Sequence, residues 1–231
     1  MKCLIITGAS SGIGLATAEA FAAAGYEVIN LSRRPCDLPS AFNINCDLAD
    51  ANAWNGISQS LVSRTQGSQE ICIVHNAAHL AHDTVQNAQP EDLRRTYEIN
   101  LIAPTILNRA LLPGMGPGSS ILYIGSTLGE KAVPGSFSYV TSKHATIGMM
   151  RATCQDLAGT GIHTVCINPG FTDTEMLRDH IPADVMPDIA AMSTFGRLIA
   201  PAEIGEAVLF AAQSPVLNGS VINADMGQIQ R

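Results

Sequence analysis

The sequence predicts an α/β fold: a parallel sheet of about seven strands, doubly wound, with helices on both faces. Short apolar runs of β type alternate with longer stretches of helical periodicity along the chain, the pattern of strands joined by crossover helices. The first strand-to-helix junction is rich in glycine, as such sheets require where a ligand approaches the carboxyl end of a strand.

The elements follow in order. A strand over 3–7 runs through a glycine loop into a helix over 14–24, and a second strand covers 26–31. Residues 32–40 carry Pro35 and Pro39 and are too short and broken for a crossover helix, so a loop is expected before the strand at 41–45. Strands are expected at 71–75, 120–125, 163–167 and 220–223, with helices at 90–112, 138–158 and 202–212. Residues 113–118, a Pro-Gly cluster, read as a turn. With no internal repeat and no room for a second core, residues 1–231 form a single domain.

Composition narrows the function. The formal net charge is −7, there is no basic run, and aromatic residues make up 5% of the chain. Nucleic acid and anionic membrane surfaces are therefore not expected partners. Six cysteines are scattered without a C-x-x-C pair, which fits reduced thiols packed as small hydrophobes and no metal site. No apolar run reaches the ~18 residues of a membrane span, and residues 1–7 are too short for a signal-peptide core, so a soluble, cytoplasmic protein is expected.

Five groups of residues carry chemistry. The segment Thr7-Gly8-Ala9-Ser10-Ser11-Gly12-Ile13-Gly14 lies between a strand and a helix. Its glycines allow a tight turn and close approach of a pyrophosphate, whose charge then meets unpaired N–H groups at the helix start. Ser10 and Ser11 are placed both to face phosphate and to cap that helix. Tyr139 and Lys143 are four residues apart and share a helix face, so the ammonium favours the phenolate and makes the phenol a general acid and base. Ser126, at a strand end facing that helix, is positioned to hydrogen-bond a carbonyl oxygen. Asn100 sits inside a helix, where asparagine is mildly unfavourable and bends the helix through local bonds. Asn76 follows an apolar strand, where a buried amide must tie neighbouring strands together.

With these motifs the chain resembles the short-chain dehydrogenase/reductase family, whose glycine motif is T-G-x-x-x-G-x-G and whose active site holds Asn, Ser, Tyr and Lys. The resemblance places Asn100, Ser126, Tyr139 and Lys143 in those four positions. It continues through Asp47-Leu48 on the adenine side, Asn76-Ala77-Ala78, and Asn168-Pro169-Gly170 with Thr172, and it spans nearly the whole chain. It implies a Rossmann-like fold and a nicotinamide cofactor held by Gly8, Ser10, Ser11, Gly12, Ile13, Gly14 and these later motifs. Lys143 also takes up the nicotinamide ribose, and Asn100 holds a water that links the lysine to solvent. Homodimers or homotetramers, paired through the helices at 90–112 and 138–158, are implied as well, as is a substrate lid over 171–194.

The nature of the cofactor is read at the end of the second strand. An acidic residue there would bind a ribose 2′-OH and repel a 2′-phosphate. This chain has Ser32 in that place, followed by Arg33, which suits a charge-assisted fork on a phosphate. NADP(H) is therefore expected over NAD(H), although Ser11 stands where many NADP-using members carry a second basic residue.

Two positions depart from the family pattern. His79 replaces the usual glycine after Asn-Ala-Ala, which suits a substrate contact, a local pH sensor or a tolerated loop histidine. Met226 replaces the first glycine of a closing Asp-Gly-Gly. Leu80, Leu128, Phe137, Phe171 and Met176 suit either an apolar substrate cavity or ordinary core. With no Arg or Lys evidently aimed at the cleft, a neutral or weakly polar small-molecule carbonyl or alcohol is the expected substrate. The rival readings are a pteridine or 3-oxoacyl thioester reductase and a non-catalytic NAD(P)-sensing regulator.

Overall fold

Seven strands, β1 (Lys2–Thr7), β2 (Tyr26–Ser32), β3 (Phe42–Asn45), β4 (Glu70–His75), β5 (Ser120–Ile124), β6 (His163–Pro169) and β7 (Val221–Ala224), form one sheet in the order β3-β2-β1-β4-β5-β6-β7. Every neighbouring pair is parallel. The computed structural model describes residues 1–230, and Arg231, the last residue of the expected domain, lies outside the described residues.

Side chains alternate across each strand, so the central strands feed two cores. Ile5, Ile29, Ile73, Ile121 and Tyr123 face one side, packed by Trp54 and Leu61 of α2 (Trp54–Thr65), Leu107 of α4 (Ala103–Leu111) and Met150 of α5 (Phe137–Asp156). Leu4, Ile6, Val28, Val74 and Leu122 face the other, under Phe21 of α1 (Gly12–Ala23) and Val208 of α8 (Pro201–Ala212). Each fully buried Ile or Leu contributes about 2 kcal/mol of transfer free energy, so these two layers hold the helices to the sheet.

The connection from β2 to β3 is a loop, as the prolines require. Its backbone is satisfied by Asn43, whose amide pairs with Cys36 N–H at 2.8 Å and Cys36 C=O at 3.3 Å. Two expectations need correction. The apolar periodicity marks no helix between β3 and β4, where α2 lies, and predicts one helix over 90–112. The latter is α3 (Pro90–Tyr97), a π-helical turn over Glu98–Ile102, then α4. Pro104 lacks the N–H that would bond the carbonyl of Asn100, and the chain takes a wider register in which Ala103 N–H bonds Glu98 C=O. Two short helices, α6 (Glu175–His180) and α7 (Met186–Ala191), occupy the expected lid. All six cysteines are free, and no described helix is long and apolar enough to cross a membrane.

Candidate active site

The strand order reverses between β1 and β4, and a cleft of about 890 Å³ opens at the carboxyl ends of these strands, where doubly wound sheets bind ligands. Thr7 and Asn76 hold the two strand ends together. Asn76 Nδ2 donates to the carbonyls of Thr7 and Gly8 at 3.0 and 2.9 Å, and Thr7 Oγ1 accepts the N–H groups of Asn76 and Ala77. Gly12, with φ of 56°, turns the chain into α1 in a conformation that a side chain would strain.

Ser11 occupies the N-cap position of α1, but contrary to the sequence expectation its side chain caps nothing, and the first turn carries no acid. The helix start therefore presents its positive dipole end, with no acid in its own first turn, at the cleft wall formed by Ser10, Ser11, Gly12, Ile13 and Gly14. The Ser11 hydroxyl instead donates to Glu175 Oε2 at 3.2 Å. Beyond it, Ser32, Arg33, Asp47 and Leu48 continue the lining. The N–H of Ala49 and the charge of Arg95 hold the Asp47 carboxyl below the ordinary carboxylate value.

The opposite end is built on β5 and α5. Ser126 follows Gly125, whose N–H bonds Ile167 C=O at 2.7 Å, and its own N–H reaches Asn168 Oδ1 at 3.1 Å. Its hydroxyl accepts Leu128 N–H at 3.1 Å and acts on the Tyr139 phenol, lowering its pKa. The start of α5 is anchored from 55 positions away by buried Asp83, whose carboxylate accepts the Ser138 N–H at 2.9 Å and the Ser138 hydroxyl. A carboxylate on the first turn suits the helix dipole, and it fixes the residue next to Tyr139.

Tyr139 and Lys143 are both buried. Lys143 Nζ donates to Ile124 C=O at 2.7 Å and lies 5.4 Å from the Tyr139 ring centroid. Burial pushes the phenol up to about 12, opposed by the Ser126 hydroxyl, and burial lowers Lys143 to about 8. Desolvation, rather than the ammonium that the i, i+4 spacing suggested, is thus the leading influence on the phenol. Asn100 stands in the π turn behind this wall. It accepts His79 N–H at 2.8 Å and donates to His79 C=O and to Ser142 Oγ at 3.1 and 2.9 Å.

The cleft lining brings together Ser126, Tyr139, Lys143, Asn76, Ala77, Ala78, Pro169, Gly170 and Thr172 with the glycine loop. Leu80, Leu128, Phe171 and Met176 line its outer end, but His79 and Phe137 are not among the lining residues. The His79 ring is turned to Thr96 Oγ1 at 3.1 Å, and Phe137, first residue of α5, is 37% exposed. Lys131 also lines the outer end, against the expectation that no Lys or Arg faces it. Sequence reasoning gave Arg34 no role and missed Asp83, Glu175 and the pair His82 and His180, whose tilted rings have centroids 4.8 Å apart between the loop after β4 and α6. Met226 has φ of 50°, the one positive value at a non-glycine among the described residues, so methionine occupies a backbone position that favours glycine.

A dinucleotide-type glycine loop facing a Ser-Tyr-Lys wall across one cleft defines the class as an α/β oxidoreductase. Residues 8–228 match the family model described as Enoyl-(Acyl carrier protein) reductase, and the chain belongs to the short-chain dehydrogenase/reductase family. It is 28% identical over 241 residues to the uncharacterized oxidoreductase YmfI of Bacillus subtilis (strain 168), covering 98% of each chain. It is also 28% identical over 236 residues to carbonyl reductase family member 4 of Xenopus laevis, covering 98% of this chain and 97% of that one. Among solved structures, a short chain dehydrogenase family protein from Francisella tularensis subsp. tularensis SCHU S4 superposes with a TM-score of 0.91 at 24% identity, with both chains fully covered.

Proposed function

We propose that the protein is an NADP(H)-preferring oxidoreductase that interconverts a small-molecule carbonyl and alcohol by hydride transfer, with Tyr139 as general acid and base. The observation that carries this reading is the placement of Ser126, Tyr139 and Lys143 on the wall of the cleft that begins at the glycine loop.

The residues fit a dinucleotide. The uncapped start of α1 attracts a pyrophosphate, and the close approach at Gly14, where a Cβ would stand 2.2 Å from Gly8 C=O, leaves the loop backbone bare for it. When bound, the nicotinamide supplies or accepts the hydride. Tyr139 delivers the proton to the carbonyl oxygen, and its pKa of about 12 keeps it protonated at neutral pH, which suits reduction. Ser126 hydrogen-bonds the same oxygen and steadies its developing charge. Lys143, lowered to about 8, holds a proton that transfers near neutral pH and binds the ribose hydroxyls. Asn100 acts through others, fixing the His79 peptide and Ser142 behind the two catalytic side chains.

Titration with NADPH followed by a panel of ketones, aldehydes, pteridines and acyl thioesters, read by loss of NADPH absorbance, tests the reading. Tight NADPH binding and turnover of at least one carbonyl are expected, and a protein that binds no nicotinamide dinucleotide overturns it. The acyl thioester arm matters because the matching family model is described by an acyl carrier protein substrate. Arg33 lines the cleft at the end of β2. Arg33→Ala is expected to weaken NADPH binding by about tenfold more than NADH binding, the loss of one charge-assisted contact. Equal losses would show that Arg33 does not read the phosphate.

A further inference from the structure

We propose that Glu175, reaching in from the lid, sets the preference between the two nicotinamide dinucleotides by competing with a 2′-phosphate for Arg34. This rests on the reading of the cleft as a nicotinamide dinucleotide site.

The usual discriminating acid at the end of β2 is absent. Ser32 stands there, its hydroxyl donating to Arg34 C=O and accepting Asn30 Nδ2 at 2.9 Å. Two arginines follow. Arg33 makes no side-chain hydrogen bond or ion pair among the described residues, and its charge is felt at Asp47 and His79. Arg34 is engaged: its Nη2 lies 2.9 Å from Glu175 Oε2 and 3.3 Å from Ser11 Oγ, and Ser11 Oγ closes the triangle at 3.2 Å from the same carboxylate oxygen. One knot thus joins the end of β2, the glycine loop and the first residue of α6. Ser11, Ser32, Arg33, Arg34 and Glu175 all line the cleft.

Charge at this corner is therefore two arginines against Glu175 and Asp47, with Asp179, a turn further along α6, adding a further negative charge toward Arg34. The Arg34 and Glu175 side chains are 63% and 60% exposed. Water solvates both ends of such a pair, so it contributes little to stability and gives way readily to a better partner. A phosphate dianion is that partner, since it offers the guanidinium a fork of charged acceptors. The displaced carboxylate then remains beside the phosphate and repels it. Glu175 in this way replaces, from across the cleft, the repulsion that Ser32 cannot provide, and the preference for NADPH is held to a modest level. A residue that only stapled the lid would affect both nucleotides alike.

Dissociation constants for NADPH and NADH, measured by titration calorimetry at low and high salt on the wild type, Glu175→Gln and Arg34→Gln, test this. Glu175→Gln is expected to raise the preference for NADPH about fivefold, the effect of removing one water-screened unit charge a few ångströms away. Arg34→Gln is expected to lower it by a similar factor, and high salt should shrink both changes. A preference unchanged in Glu175→Gln, or equal shifts for the two nucleotides, overturns the inference while leaving the dinucleotide site intact. Failure of the wild type to bind either nucleotide instead removes the reading on which the inference rests.

Discussion

Tyr139→Phe is expected to lower turnover by about a thousandfold or more while changing NADPH affinity by less than about twofold. The substitution removes one oxygen and keeps the ring, so neither a cavity nor a clash results in the wall of α5. Tyr139 is 8% exposed, and its hydroxyl meets Ser126. Ser126 retains the Leu128 N–H after the change, so no buried donor is orphaned and the fold should stand. The glycine loop and the start of α1, which bind the dinucleotide in the proposed reading, lie at the other end of the cleft and are untouched. What is lost is the proton donor. Steady-state rates with the best carbonyl of the panel, together with NADPH titration of the same variant, measure both halves. Near-normal turnover would remove Tyr139 from its role, and loss of NADPH binding would show that the phenol supports the nucleotide instead.

The parts of this site that the sequence announced share a physical character. Runs such as Leu4-Ile5-Ile6 and Cys72-Ile73-Val74 are buried on both faces, and such strands read as continuous apolar stretches. The glycine loop and the Tyr139 and Lys143 spacing are local, one within a single turn of chain and the other within a single turn of helix. Helix α2 escaped because its buried Trp54 and Leu61 stand among polar and small residues, which leaves only a thin apolar stripe. The π turn at Asn100 escaped for another reason: composition hardly distinguishes it from α-helix, and only Pro104, one turn later, marks the missing hydrogen bond. Asp83 on α5 and Glu175 on Arg34 were invisible, since each bond joins residues 55 and 141 positions apart. No local pattern encodes such a pairing. The phenol shows the same limit, because i, i+4 spacing reports a nearby ammonium and says nothing about how completely the strands and helices exclude water.

Gly14→Ala should destabilise the protein by about 3 kcal/mol and weaken NADPH binding more than about tenfold, although alanine in an ordinary helix interior gains about 1 kcal/mol over glycine. The sign is the test. A Cβ at Gly14 would stand 2.2 Å from the Gly8 carbonyl oxygen and 2.5 Å from Asn76 Nδ2. These are the atoms that bond each other at 2.9 Å to tie β1 to β4, so the oxygen cannot yield without releasing that tie. Nor can α1 retreat. Its far side is wedged on α8, where a Cβ on Gly205 would meet Ala16 C=O at 2.7 Å, so the two backbones are already in close approach. The strain must then be taken up in the glycine loop, displacing the N–H groups proposed to bind the pyrophosphate. Gly148 in α5 supplies the contrast, as a Cβ there meets nothing within 4 Å. Gly148→Ala should gain about 0.5–1 kcal/mol from helix propensity alone. Urea unfolding of the two variants, with NADPH titration of each, measures the difference. A stabilised, NADPH-binding Gly14→Ala protein would show that α1 is not clamped between the sheet and α8, and that the loop tolerates a side chain where the nucleotide is proposed to bind.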